Sequence, residues 1–266
     1  MRKIPLVLLI TILFLSCVSK SEYQKLQEEN AKLMTEIDEL KNGAPKLLAT
    51  LNLKFDEKNY QECKSIFEQL KSKFPETSEF KNAQQIIDKI IIIETEEKIK
   101  TEENIKKEEQ AKLGALKKLK KTFDDVSGTT WYKNSYFTHY TNTNHVSVYM
   151  GQKQGSDPWI RLYASYFGED WIFFEQVFLS YDGNTKQVVY DKFNDKETDN
   201  EADVWEWIDV TADDEMIKFL WQLSNGKESK VRYVGKYNKT RVLTSAEKNG
   251  IKDVLLGYMA ITGKKL

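Results

Sequence analysis

The sequence predicts an α+β fold: an N-terminal helical stalk, built from a short coiled coil, a helical hairpin and a long charged helix, followed by an antiparallel β-sheet domain with two helices. Two observations predict it. Up to residue 122 the apolar residues recur at spacings of three and four between runs of Glu and Lys, which is the helical period. From Phe123 onward the composition changes: residues 123–266 hold all six Trp and 11 of the 13 Tyr, with 17 Lys+Arg against 21 Asp+Glu for a net charge of −4. There apolar and polar residues alternate over short segments, the period of a strand, and the length of about 144 residues suits one globular domain.

The whole chain of 266 residues is nearly neutral, with 40 Lys+Arg against 41 Asp+Glu, which excludes a strongly basic nucleic-acid binder. At 40% hydrophobic and 30% charged, with a mean hydropathy of −0.58, it is not a polytopic membrane protein. The two cysteines, Cys17 and Cys63, lie in different kinds of segment and define no disulfide framework.

The first element is a targeting segment. Arg2 and Lys3 precede an apolar run of 12 residues, Ile4 to Leu15, followed by Ser16 and Cys17. A membrane-spanning helix needs about 20 apolar residues and a signal-peptide core roughly 7 to 15, so export is the better reading. Leu15, the small Ser16 and Cys17 resemble the signal of a bacterial lipoprotein, although Phe14 stands where leucine is usual. The resemblance implies that residues 1–16 are a signal peptide and that mature Cys17 carries acyl chains such as palmitate. Stable anchoring needs two or more chains, and the remainder of the protein would face an extracytoplasmic compartment.

After a polar linker, Tyr23, Leu26, Asn30, Leu33, Ile37 and Leu40 form a heptad seam in residues 17–43. Asn30 at an inner position favours a parallel homodimer in register, and Glu36 with Lys41 is a plausible cross-chain pair. The seam covers under three heptads, and an amphipathic helix packed on its own chain is an equal alternative. Asn42-Gly43-Ala44-Pro45 reads as a helix break, opening a second unit over residues 44–122. In it Tyr60, Cys63, Phe67, Leu70 and Pro75 resemble the second helix of a tetratricopeptide repeat over roughly residues 46–78, weakened by Thr50 and Lys54 in the first helix. One repeat cannot bury its own core, so the inner face of a simple hairpin is the favoured alternative, with Cys63 a small buried hydrophobe. Residues 78–123 read as one long helix whose packing is densest at Ile90 to Ile93. From Glu94 to Lys121 it becomes a solvated rod of about 40 Å, and the lysines at 117, 118, 120 and 121 read as a solvated helix end.

In the C-terminal domain Val146 to Met150, Trp159 to Phe167, Gln187 to Tyr190, Val204 to Val210 and Lys230 to Gly235 read as strands. Trp171 to Ser180 is apolar on both faces and reads as a central strand. Tyr181-Asp182-Gly183-Asn184 is a hairpin turn. Thr211 is the expected cap of a helix bearing Met216, Phe219, Leu220 and Leu223 and ending at Asn225-Gly226. Thr244 with Glu247 is a capping box before Ile251, Val254, Leu255, Tyr258 and Met259.

Few residues here point to chemistry. The sequence shows no GxSxG, P-loop or dinucleotide fingerprint, so no cofactor is expected. His139 and His145 lack the spacing and companions of a metal site and read as strand-edge or surface histidines. Asp191 to Glu215 carries 11 acidic residues against two lysines without the glycine or order of a calcium loop, and reads as a solvated hairpin. Two carboxylates among aromatics, Glu175 and Glu206, are the candidates for acid catalysis on a glycosidic bond, with Arg161 and Arg232 as structural partners if they are merely neutralised. Trp205 and Trp207, with Trp131 and Tyr132, are the candidate ligand-binding aromatics, the alternative being that they fill the core. The expectation is a membrane-anchored, non-catalytic interaction or scaffolding protein of the bacterial cell envelope. A glycan hydrolase using Glu175 or Glu206, or a structural spacer or assembly factor, are the alternatives.

Overall fold

A computed structural model describes residues 19–136 and 142–266. Residues 1–16, expected to be a signal peptide, Cys17 and His139 lie outside the described residues. The chain divides into two compact units, residues 1–101 and 102–266, and the fold is α+β. No helix among the described residues is long and apolar enough to cross a membrane.

In the first unit, α1 (Lys20–Asp56) starts at a complete capping box, Ser19 Oγ accepting from the Glu22 N–H at 3.1 Å while Glu22 accepts from the Ser19 N–H at 3.2 Å. A three-residue turn, with Lys58 at φ 58°, leads to α2 (Tyr60–Lys73), capped by Asn59. The third helix, α3 (Ser78–Lys118), begins in this unit and ends in the second. Leu51, Cys63, Leu70, Ala83 and Ile90 are fully buried, and Phe67 stacks on Phe80 with ring centroids 5.3 Å apart. Cys63 is thus a core residue, its Sγ donating to the Leu51 carbonyl at 3.6 Å.

Three expectations are corrected here. Helix α1 does not break at Asn42-Gly43-Ala44-Pro45 but runs through it. An interior proline costs about 3 kcal/mol, whereas each large apolar side chain buried past it, Leu51 foremost, returns roughly 1.5–3 kcal/mol. Gly43 serves a close approach rather than a cap: a Cβ there would lie 2.7 Å from Cζ of Phe74. The heptad residues are not packed on their own chain, since Tyr23, Leu26, Leu33, Ile37 and Leu40 are all exposed. Asn30 spends its amide on the Leu26 carbonyl at 3.0 Å. Of the run Ile90 to Ile93, only Ile90 is fully buried, Ile91 and Ile92 being exposed. The four residues are spread over about 300° of the helix and cannot all share one face.

In the second unit α3 stops at Lys118 rather than continuing to Phe123, because residues 120–124 pair as a strand. Among the described residues ten strands follow, in two antiparallel sheets rather than one. The six-stranded sheet has the order β1 (Lys120–Asp124), β2 (Thr129–Lys133), β3 (His145–Lys153), β4 (Trp159–Gly168), β8 (Val204–Thr211), β7 (Lys196–Asn200). The four-stranded sheet has the order β10 (Lys239–Val242), β9 (Ser229–Val234), β5 (Gln176–Tyr181), β6 (Asn184–Val188). Its hairpin turn has Asp182 at φ 45° and Gly183 at φ 89°, the two positive angles of a tight two-residue turn.

Val148, Leu162 and Ile208 from the first sheet meet Leu179 and Val231 from the second in one core, and the Tyr233 hydroxyl ties the sheets by donating to the Ser165 carbonyl at 2.8 Å. Two helices complete this core: α4 (Asp214–Asn225) through Leu220 and Leu223, and α5 (Ser245–Thr262) through Ile251, Val254 and Leu255. The cap of α4 is Asp213, which accepts from the Met216 N–H at 2.7 Å, not Thr211. Thr211 is held as the last residue of β8 opposite Arg161. The capping box of α5 forms as expected, and Glu247 reaches further, accepting from the Val146 N–H at 2.7 Å to fasten α5 to β3.

Candidate functional site

Strand alternation sorts the candidate aromatics by face. Trp131 and Trp207 lie half-buried on the outer face of the six-stranded sheet, packed against the buried Tyr149 and Tyr163. Trp131 meets Trp159 edge-on at 5.7 Å. Trp205 shares this face, and its Nε1 is shielded from solvent without a hydrogen-bond partner among the described residues. Tyr132 is not with them: it points the other way into the main core, 9% exposed, its hydroxyl donating to Gln152 at 3.3 Å. The same outer face carries Arg161, whose Nε donates to Asp209 Oδ1 at 2.8 Å and to the Tyr149 hydroxyl at 3.1 Å. Tyr149 in turn donates to Asp209. Burial, and then the adjacent Asp209 carboxylate, push the Tyr149 hydroxyl well above the usual phenol range. Arg161 therefore partners Asp209, not either candidate carboxylate, and Arg232 donates to Thr240 at 3.0 Å.

The two candidate carboxylates differ in surroundings. Trp171 to Ser180 is not one strand: β5 begins only at Gln176, and residues 171–175 form a bend. Glu175 is exposed there, its N–H donating to the Val234 carbonyl at 2.8 Å. Glu206 is fully buried, and each of its oxygens takes two donors. Oε1 accepts from the Ile172 and Phe173 N–H groups at 3.0 and 2.8 Å; Oε2 accepts from the Phe174 N–H at 3.0 Å and Lys196 Nζ at 2.7 Å. Lys196 also donates to the Phe174 carbonyl at 2.6 Å and sits 4.1 Å over the Phe174 ring. Three successive backbone donors converging on one carboxylate make an anion-holding nest turned inward on the protein's own side chain.

That nest bends the chain. Phe173 has φ 50°, a left-handed conformation costing a bulky residue of order 1–3 kcal/mol. The three hydrogen bonds to a charged acceptor, each roughly 1.5–3 kcal/mol, offset it. The neighbouring β9–β10 turn closes onto the same bend: a Cβ on Gly235 would lie 2.3 Å from the Phe173 carbonyl oxygen, so only glycine permits the approach. The Tyr237 N–H donates to the Ile172 carbonyl at 3.4 Å.

Between the bend and the turn lies an open cleft of about 730 Å³. Its aromatic wall is Trp171 stacked on Phe173, centroids 5.8 Å apart at 20°, facing the Tyr237 side of the turn. Phe173 remains 52% and Tyr237 56% exposed. Glu169, Asp170, Lys236 and Lys239 are the charged groups of the lining, beside the end of β4 and Asn238. A volume of this size is that of a small-molecule pocket. Sequence reasoning missed the cleft because Trp171 and Phe173 read as strand and the Gly235–Asn238 turn carries no chemical motif. The one available signal is that turn, with lysines on either side of an aromatic residue.

Elsewhere, His145 lies 3.9 Å from the buried Glu247, and burial lowers its pKa despite that carboxylate. Burial pushes the Glu247 carboxyl up, but hydrogen bonds from Arg241 at 2.7 and 3.0 Å and from the Thr244 and Val146 N–H groups more than offset this and hold it below the usual range. Among the described residues no group of three or more His, Cys, Asp or Glu is placed to hold a metal ion. Of the acidic run, residues 196–200 form β7 at the edge of its sheet, with Glu197, Thr198, Asp199 and Asn200 exposed, and the run continues through β8, where Glu206 is buried, to the start of α4, so it is not a wholly solvated hairpin. Comparison of the chain with protein-family models, with curated proteins and with solved structures finds no match.

Proposed function

We propose that this chain is an exported bacterial lipoprotein, held on a membrane through acylated Cys17, whose helical stalk pairs with a second copy and whose C-terminal domain is a non-catalytic binding module of the cell envelope. The observation that carries the binding reading is the state of Glu206. Both of its oxygens are occupied by four donors that shape the 172–174 backbone, leaving none to accept or deliver a proton to a substrate. Glu175 lies exposed to solvent beside that bend. What that arrangement builds is a preset aromatic cleft, the kind of surface that recognises a ligand. The exposed seam from Tyr23 to Leu40, five apolar side chains on one stripe of a capped helix, supports pairing of two stalks.

The test is acyl labelling in a bacterial host. The full chain incorporates labelled palmitate and sediments with membranes, and Cys17→Ser abolishes both. Unchanged labelling and sedimentation in Cys17→Ser overturn the anchor. Release of sugars from envelope glycans by the purified chain, lost in Glu175→Gln, overturns the non-catalytic assignment in favour of a hydrolase.

A further inference from the structure

We propose that the cleft between Trp171–Phe173 and Tyr237 binds an uncharged oligosaccharide, and that this cleft, rather than the Trp205–Trp207 face, is the ligand site of the C-terminal domain; the inference rests on the binding-module reading above. A pyranose ring has an apolar C–H face and a rim of hydroxyls that both donate and accept. The cleft offers the matching set. Phe173 and Tyr237 present open ring surface. Trp171 backs Phe173 at 5.8 Å, and Lys236 lies 5.4 Å over the Tyr237 ring. The lysines are donors and the carboxylates of Glu169 and Asp170 acceptors, so the rim can serve hydroxyls in either role.

The charge on the lining selects among ligand classes. Two cations against two carboxylates leave no net charge, which disfavours a nucleic acid or a polyanion, both of which need an excess of positive charge. A lipid tail needs a continuous apolar lining, and here charged groups interrupt it. An extended peptide adds to an unpaired strand edge, but the cleft is lined by the end of β4, the 169–173 bend and the β9–β10 turn, and reaches the edge strand β10 only at its first residue, Lys239. The outer-face tryptophans are a poorer platform: Trp131 and Trp207 pack on Tyr149 and Tyr163.

The platform is also rigid before any ligand arrives. The Phe173 N–H is clamped by Glu206 at 2.8 Å and its neighbours by the same carboxylate, and Gly235 closes on its carbonyl. Ordering costs on binding fall accordingly. A bulky residue stands at φ 50°, where glycine would carry no steric strain, and its ring lines the cleft.

The experiment titrates the full chain with cellotetraose, chitotetraose and maltotetraose, following tryptophan fluorescence and heat of binding. Saturable binding to at least one of them is expected, weakened about tenfold or more in Tyr237→Ala and in Phe173→Gly. Phe173→Gly is the decisive variant: glycine suits φ 50°, so its melting temperature is expected to hold or rise while binding is lost. Tyr237→Ala, at an exposed turn, serves should Phe173→Gly not fold. Trp205→Ala is expected to leave affinity unchanged.

Absence of saturable binding of all three sugars up to about 10 mM, tenfold above a millimolar Kd, overturns the proposal. So does affinity that survives both cleft substitutions, or that is lost in Trp205→Ala with folding intact. Failure of the anchor is separately visible as an unlabelled chain and leaves these titrations unaffected. An acylated, membrane-bound chain that binds no sugar sinks the oligosaccharide ligand alone.

Discussion

Replacing Glu206 by Gln keeps the shape of the side chain and removes its charge, which isolates what the buried carboxylate contributes. In the native protein Oε1 serves two backbone N–H groups and Oε2 serves the Phe174 N–H and Lys196 Nζ. A glutamine oxygen can replace only one of these positions. Its amide nitrogen then faces either a backbone N–H or the lysine ammonium, donor against donor. Two hydrogen bonds to a charged acceptor are lost, and Lys196, with its side chain only 14% exposed, loses its counter-ion. Breaking a buried pair from one side costs about 3–5 kcal/mol, a large part of a typical domain stability of about 5–15 kcal/mol. For a unit of roughly 150 residues each kcal/mol is worth about 2–4 °C, so the melting temperature of the second unit falls by about 6–20 °C. Urea unfolding at pH 7 measures the free-energy loss and a thermal melt the temperature shift, both followed by tryptophan fluorescence, since all six Trp lie in residues 123–266. Glu175→Gln, at an exposed position, is the control and changes stability by about 0.5 kcal/mol or less. A loss below about 1 kcal/mol in Glu206→Gln would refute the assignment of Glu206 as the support of the 172–174 bend.

Two further outcomes follow from the same structure. Glu247 is held below its ordinary value of 4.5 and His145 below its ordinary 6.5, so in both cases the unfolded chain binds protons more readily than the folded one. Stability from His145 is full above pH 6.5 and that from Glu247 above pH 4.5; each is lost as pH falls through the lowered folded value. In a urea series from pH 7 to pH 3, Glu247→Gln should unfold more easily at pH 7 and show a flatter acid limb, with Arg241 and His145 the other charged groups facing that position; an acid limb as steep as the native one counts against the linkage. On the stalk, Leu33→Asp places a charge in the middle of the exposed seam. Analytical ultracentrifugation should then show a monomer where the native chain self-associates, with the urea unfolding of the C-terminal unit unchanged. A native chain that remains monomeric at high micromolar concentration removes the seam as a pairing surface.

Much of the fold was legible in residue order because its signals are local. The capping box at Thr244, the Asp182-Gly183 turn and the alternation of Val146 to Met150 each depend on residues within a few positions of one another. The weaker elements were not. Strands β1, β7 and β10 are short, polar and largely exposed, and they exist because a neighbouring strand supplies hydrogen bonds, not because their own composition demands it. Helix α1 crosses Pro45 because packing onto α2 outweighs the local cost, a term that no window of sequence contains.

The functional residues divide along the same line. Sequence alone determined the change to an aromatic-rich domain and the α+β class, and it marked the apolar run from Ile4 to Leu15 before Cys17 and the apolar stripe from Tyr23 to Leu40, since each is a matter of composition or period. It singled out Glu206 as a carboxylate among aromatics, but the role depended on tertiary structure. Glu206 on β8 meets the backbone of residues 172–174 more than 30 positions away, and that meeting turns a would-be acid into a clamp. The cleft arises the same way: Trp171 and Phe173 are brought beside Tyr237 by closure of a turn on a bend about 60 residues earlier. Hydrogen bonds and ring contacts between such distant segments follow from how two sheets close on one core, and only the folded chain decides them.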